Sequence, residues 1–181
     1  WRRAEVLAKL APHLPAAKQV KVLQNVLVAV QKIEDEDHRI EVLAEIAHYL
    51  PEPLLREALA KAQEIKWDVY RGKVLAALVP RLAELGYPQE ALATVQEIRD
   101  KDNRAEALSR LARYLPPPPF LREALRATRE LRDNDARVKA LASLVPYLAE
   151  FGHIQEVLAV AREIEQDWYR ENALTELIPY L

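Results

Sequence analysis

Trp67–Leu82, WDVYRGKVLAALVPRL, recurs in outline at Trp1–Leu14, WRRAEVLAKLAPHL, and at Trp168–Leu181, WYRENALTELIPYL. Each copy carries an arginine near its start. Six such arginines, Arg3, Arg39, Arg71, Arg104, Arg137 and Arg170, lie 36, 32, 33, 33 and 33 residues apart. Four residues after each comes a leucine: Leu7, Leu43, Leu75, Leu108, Leu141 and Leu174. Apolar residues follow again at seven and eight residues, and a leucine at eleven (Leu14, Leu50, Leu82, Leu115, Leu148, Leu181). Offsets of 4, 7, 8 and 11 draw one stripe along an α-helix. These segments are the A helices.

Between them lies a second pattern: REALAKAQEI from Arg56, QEALATVQEI from Gln89, REALRATREL from Arg122 and QEVLAVAREI from Gln155. These B helices place Ala58, Leu59, Ala62 and Ile65, or their equivalents, on one face. The connectors EDED, RDKDN and RDNDA offer Asp or Asn as helix N-caps. Gly86 and Gly152 are suited to end two A helices. Segments with LAELG and LAEFG alternate with segments carrying YLPEPLL and YLPPPPFL, so a longer period overlies the 33-residue one. The first repeat is longer than the others by about one helical turn between Leu14 and Ile33.

One helix pair of this size cannot bury its own apolar face, and stacked neighbours can. The expected fold is therefore all-α: a right-handed-type α-solenoid of stacked antiparallel helix pairs, with about eleven helices. The repeats fall near 1–36, 37–68, 69–101, 102–134 and 135–167, with a partial one at 168–181, in a single array. The chain starts inside a motif and contains no Met, so it is expected to be a fragment of a longer protein whose last A helix shows a bare apolar face.

Half of the residues are hydrophobic and 30% are charged, enough to build a core and too apolar for disorder. The net charge is -2 with signs interspersed, which speaks against nucleic acid as a partner. No apolar run approaches the roughly 20 residues of a membrane span. The absence of cysteine removes thiolate metal sites and disulfides, and a cytoplasmic location is the expectation.

The repeated arginines sit in the first turn of each A helix, the unfavourable end of the dipole for a cation. Acids seven residues earlier (Glu64, Glu97, Glu130, Glu163), or two to three earlier (Asp37, Asp68, Asp102, Asp135, Asp167), are candidates to compensate. Arg39, Arg71, Arg104, Arg137 and Arg170 are thus read as structural clamps between consecutive helices. Ala8, Ala44, Ala76, Ser109, Ala142 and Thr175 keep one position small for close packing. Pro12, Pro80, Pro146 and Pro179 are expected to kink or tighten their helices. PPPPF at 116–120 reads as a stiff spacer. The variable offsets 2 and 6, which include Ala77, are expected to face solvent. With the aromatic positions beside them they give a candidate protein-binding face: Glu41, Glu45, His48, Lys73, Arg81, Glu106, Arg110, Arg113, Tyr114, Lys139 and Tyr147.

Ser109 and Ser143 lie beside the core stripe, and His13, His38, His48 and His153 show no metal-ligand spacing. No phosphate-binding glycine motif and no cofactor site is present, and no enzymatic activity is expected. LAELGYPQEALATVQEI, with Gly86, Tyr87, Glu90, Ala91 and Leu92, resembles a tetratricopeptide-type unit. RAEVLAKLAPHLP and RIEVLAEIAHYLP are similar to the tandem helical repeats of bacterial signalling and conflict proteins, often attached to STAND-type NTPases. That resemblance implies a sensor or scaffold role, with a protein partner or an attached domain as the contact. The rival expectation is a structural spacer, or a unit that self-assembles into homo-oligomers through its exposed ends.

Overall fold

The computed structural model describes residues 2–115 and 120–180, among which there are eleven α-helices and no strand. The chain divides into two compact units, Trp1–Asp100 and Lys101–Leu181. The first holds α1 (Arg2–Leu10), α2 (Ala16–Val30), α3 (Glu36–Ala47), α4 (Glu52–Gln63), α5 (Asp68–Glu84) and α6 (Pro88–Gln96). The second holds α7 (Lys101–Leu111), α8 (Phe120–Arg129), α9 (Asn134–Glu150), α10 (Ile154–Arg162) and α11 (Asp167–Leu177). Odd-numbered helices are the A helices and even-numbered ones the B helices. Among the described residues no helix is long and apolar enough to cross a membrane.

Within each unit the A helices pack on one another, α3 on both α1 and α5, and α9 on both α7 and α11. The B helices do likewise, α2 against α4 and α8 against α10. The stripe makes this contact. Leu43, Ile46, Ala47 and Leu50 of the second repeat are buried, as are Leu75, Leu78, Val79 and Leu82 of the third. The same holds for Leu108, Leu111, Ala112 and Leu115, and for Leu141, Leu144, Val145 and Leu148. At the first and last A helices the stripe is partly bare. Leu10 is 48% and Ile178 65% exposed, and Val6, beside the stripe, is 56% exposed. The B faces are buried as their pattern demands, with Ala91, Val95 and Ile98 in the first unit and Val157, Leu158, Ala161 and Ile164 in the second. Pro116–Pro119 lie outside the described residues, and Phe120, the last residue of the spacer motif, begins α8 with its side chain buried.

The prolines nine residues after the arginine behave in two ways. Pro12 and Pro179 lie in 3-10 turns that tighten the ends of α1 and α11, as expected, whereas Pro80 and Pro146 lie inside 17-residue helices. The residue decisive for helix length stands twelve after the arginine. Pro15, Pro51 and Pro116 occupy it where α1, α3 and α7 stop early, and Ala83 and Ala149 occupy it where α5 and α9 run on. A proline pushes the residue before it out of the α region. Leu14 (φ -95, ψ 148) and Leu115 (φ -112, ψ 133) are accordingly extended. One expectation needs correction: Ala77 is buried rather than facing solvent.

Both glycine stops behave as expected. Gly86 has φ +97 and Gly152 φ +76. Gly86 N–H donates to Ala83 O at 3.0 Å and Tyr87 N–H to Leu82 O at 3.1 Å, closing the last turn of α5 with a pair of bonds suited to a left-handed residue. No atom lies within 4 Å of a Cβ added at Gly86, so Gly86→Ala should cost only the backbone strain, about 1 kcal/mol. Urea denaturation followed by circular dichroism checks this. Asp35 caps α3 by accepting His38 N–H at 2.8 Å, and Asp133 caps α9 by accepting Asp135 N–H at 2.8 Å. The bond from the His38 backbone, helped by its ring, holds the Asp35 carboxyl below the usual range.

Candidate binding cleft

The repeated arginines find their compensation mainly in backbone carbonyls. Arg39 donates from Nε and Nη2 to Ile33 O at 3.1 and 2.6 Å. Arg71 and Arg170 donate from Nη1 to Ile65 O and Ile164 O, both at 3.1 Å, and each also pairs with an aspartate three residues earlier, Asp68 or Asp167. Arg137 donates to Leu131 O. Each acceptor is the last apolar residue of the preceding B pattern, just past the end of that helix. One guanidinium thereby closes the carbonyl end of a B helix, where a cation is favoured, from the start of the next A helix. Arg104 reaches forward to Glu130 at 3.1 Å.

Of the acids seven residues before the arginines, Glu64 pairs with Lys61 while Glu97 and Glu163 serve the neighbouring B helix, a correction to the expectation that each compensates the arginine after it. Glu130 does serve a repeated arginine, but the preceding one, Arg104. Counted from the first residue of each B pattern, positions 0 and 7 carry Arg or Gln, and positions 1 and 8 carry Glu in the second to fifth repeats. Position 0 or 7 of one B helix reaches position 1 or 8 of the next. Arg56 bonds both Glu90 oxygens, at 2.8 and 3.3 Å, Gln63 reaches Glu97 at 3.4 Å, and Arg129 reaches Glu163 at 3.1 Å. Glu90, together with Glu52, holds the Arg56 guanidinium charged well above its ordinary range, and the Tyr87 ring lies 5.0 Å beneath it. Two of these three rungs were legible as opposite charges 34 residues apart, a spacing that the apolar stripe does not reveal.

Between α2 and α4 the ladder is open. Its register sets Gln24 opposite Glu57 and Gln31 opposite Glu64, yet among the described residues neither pair is hydrogen-bonded. Lys61 instead folds back on Glu64 at 3.3 Å. A cleft of about 370 Å³ opens there, with Gln31, Glu57 and Glu64 among its lining residues. Its floor is apolar: Leu27 and Val30 from α2, Leu43 from α3, Ala58 and Ala62 from α4, then Ile65 and Val74. Trp67 forms one lip and is 68% exposed. Glu36, Arg39, Lys61 and Lys66 complete the rim. This lining offers apolar contact, ion pairing and one indole face, and it contains no hydroxyl, thiol or imidazole. A second, polar pocket between Gln63, Arg71, Leu75, Glu97 and Arg99 holds charges that already pair, Arg71 and Arg99 with Asp68 and Gln63 with Glu97. Among the described residues no group of three or more His, Asp or Glu is placed to hold a metal ion.

Of the arginines and face residues singled out in the sequence, only Arg39 lines the cleft. In the first unit Glu41 and Glu45 stand on α3, and the carboxylate of Glu45 helps hold Lys9 of α1 charged, after Glu5. His48 lies 3.6 Å from Glu84. Lys73 bonds Asp37 at 3.4 Å, above the Tyr70 ring. Arg81 donates to Leu50 O at 3.1 Å and to Glu84 at 3.0 Å, so it closes the end of the second repeat. In the second unit Arg110 pairs with Glu106 at 2.6 Å and Lys139 with Asp135 at 2.5 Å. Arg113 is held charged chiefly by Tyr147 and then by Tyr114, whose ring lies 5.9 Å away. Much of the expected face is thus occupied with its own pairs. No protein-family model and no curated protein matches the chain.

Proposed function

We propose that the chain is a non-enzymatic protein-recognition module, a segment of a right-handed-type α-solenoid that presents a binding surface to a protein partner or an attached domain. The observation that carries this reading is the cleft of the first unit, where an apolar floor, an exposed indole and unbridged rung residues meet. The stacking of like helices within each unit supports the solenoid. The sensor role implied by the sequence resemblance belongs to the same proposal: a partner seated across two repeats would bias whatever is attached to them.

The test uses the intact chain with Trp1→Phe and Trp168→Phe, which leaves Trp67 as the sole tryptophan. Cationic, anionic and uncharged amphipathic peptides of about 15 residues are titrated against it. A saturable change in Trp67 emission, with at least one of these peptides, is the expected result. No change with any of them up to about 1 mM would remove the recognition reading.

A second reading, self-assembly through the ends, is favoured by the exposure of Val6, Leu10 and Ile178. Light scattering over a wide concentration range separates the two. Mass growth lost on Leu10→Gln would support assembly, and a constant mass would leave the cleft as the interaction surface.

A further inference from the structure

We propose, resting on the recognition reading, that the cleft accepts an amphipathic helix of a partner protein carrying two arginines seven residues apart. The open rungs specify this occupant. Glu57 and Glu64 hold the positions at which Glu90 and Glu163 receive Arg56 and Arg129 from the preceding B helix. They lie two turns apart on one face of α4, about 10 Å along its axis. The donor face that matches such a pair is already present elsewhere in this chain. Arg122 and Arg129 stand seven apart on α8, where Arg129 bonds Glu163 and Arg122 adds a minor attraction to the Glu156 carboxyl, which His153 chiefly holds below its usual range.

The remaining features agree with that occupant. Glu57 has no partner among the described residues. The Lys61–Glu64 pair is exposed on both sides, so an incoming guanidinium, which can grip a carboxylate with two parallel bonds, displaces it readily. The Arg39 guanidinium is turned to Ile33 O, which leaves Lys66 and the displaced Lys61 as the opposing charges on the rim. A cleft of about 370 Å³ is too small to swallow a helix. The helix therefore lies along the rim and lowers the aliphatic side chains between its arginines onto Leu27, Val30 and Ala58. Those residues are three and four positions after the first arginine, on the same face as both arginines.

The experiment uses the single-tryptophan chain and alanine/leucine-based peptides of about 18 residues, a length at which a helix is sustainable. One peptide has two arginines seven apart. The others have glutamine or glutamate at both sites, or arginines five apart, which places them on different faces. The seven-apart peptide is expected to bind most tightly. Each Arg→Gln exchange should weaken it about fivefold at low salt, and raising salt should narrow that gap. In the Glu57→Arg, Glu64→Arg chain the preference should move to the glutamate peptide. Both sites are exposed, and an unchanged thermal melt verifies that this variant folds.

Equal affinity for the arginine and glutamine peptides, or for the two spacings, overturns the arginine assignment while leaving recognition standing. Silence from every peptide class overturns both. Light scattering on the same samples covers the remaining occupant. A mass that doubles with concentration and returns to monomer on Glu57→Arg would make the occupant a second copy of this chain, and the partner assignment would fall.

Discussion

Replacing Leu108 by alanine should lower the unfolding free energy by about 2–5 kcal/mol. Leu108 sits four residues after Arg104 in α7 and is fully buried. Truncation removes three carbons from the interior and leaves a space that α7, pinned against both α8 and α9, cannot collapse to fill. The control is Leu10→Ala in α1. Leu10 belongs to the same stripe but is 48% exposed, so it forfeits only part of the burial and opens no cavity. Urea denaturation followed by helical circular dichroism reads both. An unmoved midpoint for Leu108→Ala, or an equal loss at Leu10, would mean that the register of the stripe is wrong.

The second large effect is expected at Arg39. Arg39→Gln withdraws two charge-assisted bonds from Ile33 O, the carbonyl just past the end of α2. That acceptor loses its donors, and the end of the α2 dipole loses its cation. The expected cost is about 1.5–3 kcal/mol. Arg39→Lys should recover part of it, because the charge returns while the two-pronged geometry does not. Arg56→Gln is the informative comparison. Arg56 has at least as many bonds as Arg39, but they join side chains exposed to water, and its loss should leave the melting temperature nearly unchanged. A loss at Arg39 no larger than at Arg56 would refute the clamp.

The same contrast shows which parts of the fold were readable in advance. The A stripe, the B faces, the caps at Asp35 and Asp133 and the stops at Gly86 and Gly152 all follow from residues within a turn or two of one another. Local geometry fixes those relations whatever the rest of the chain does. The partners of the arginines were harder to see. A carbonyl leaves no mark in a sequence, since every residue has one, whereas the acids near each arginine are conspicuous. Glu97 and Glu163 belong instead to Gln63 and Arg129, one helix pair away. Helix length was not legible either. Pro80 and Pro146 look like interruptions, yet the residue that ends an A helix is the proline at the twelfth position, acting on the leucine before it.

The sequence alone therefore determined the helices, their buried faces and their order, because those rest on periodicities of a few residues. The tertiary structure decided where the cleft lies. Gln24 and Gln31 occupy the donor positions opposite Glu57 and Glu64, and nothing in their identity announces that these rungs stay open. Whether a rung closes depends on how side chains of two helices meet, since Gln63 reaches Glu97 from the same register position at which Gln31 leaves Glu64. That meeting follows from the packing of α2, α3, α4 and α5 together, a property of the assembled core and of no single segment.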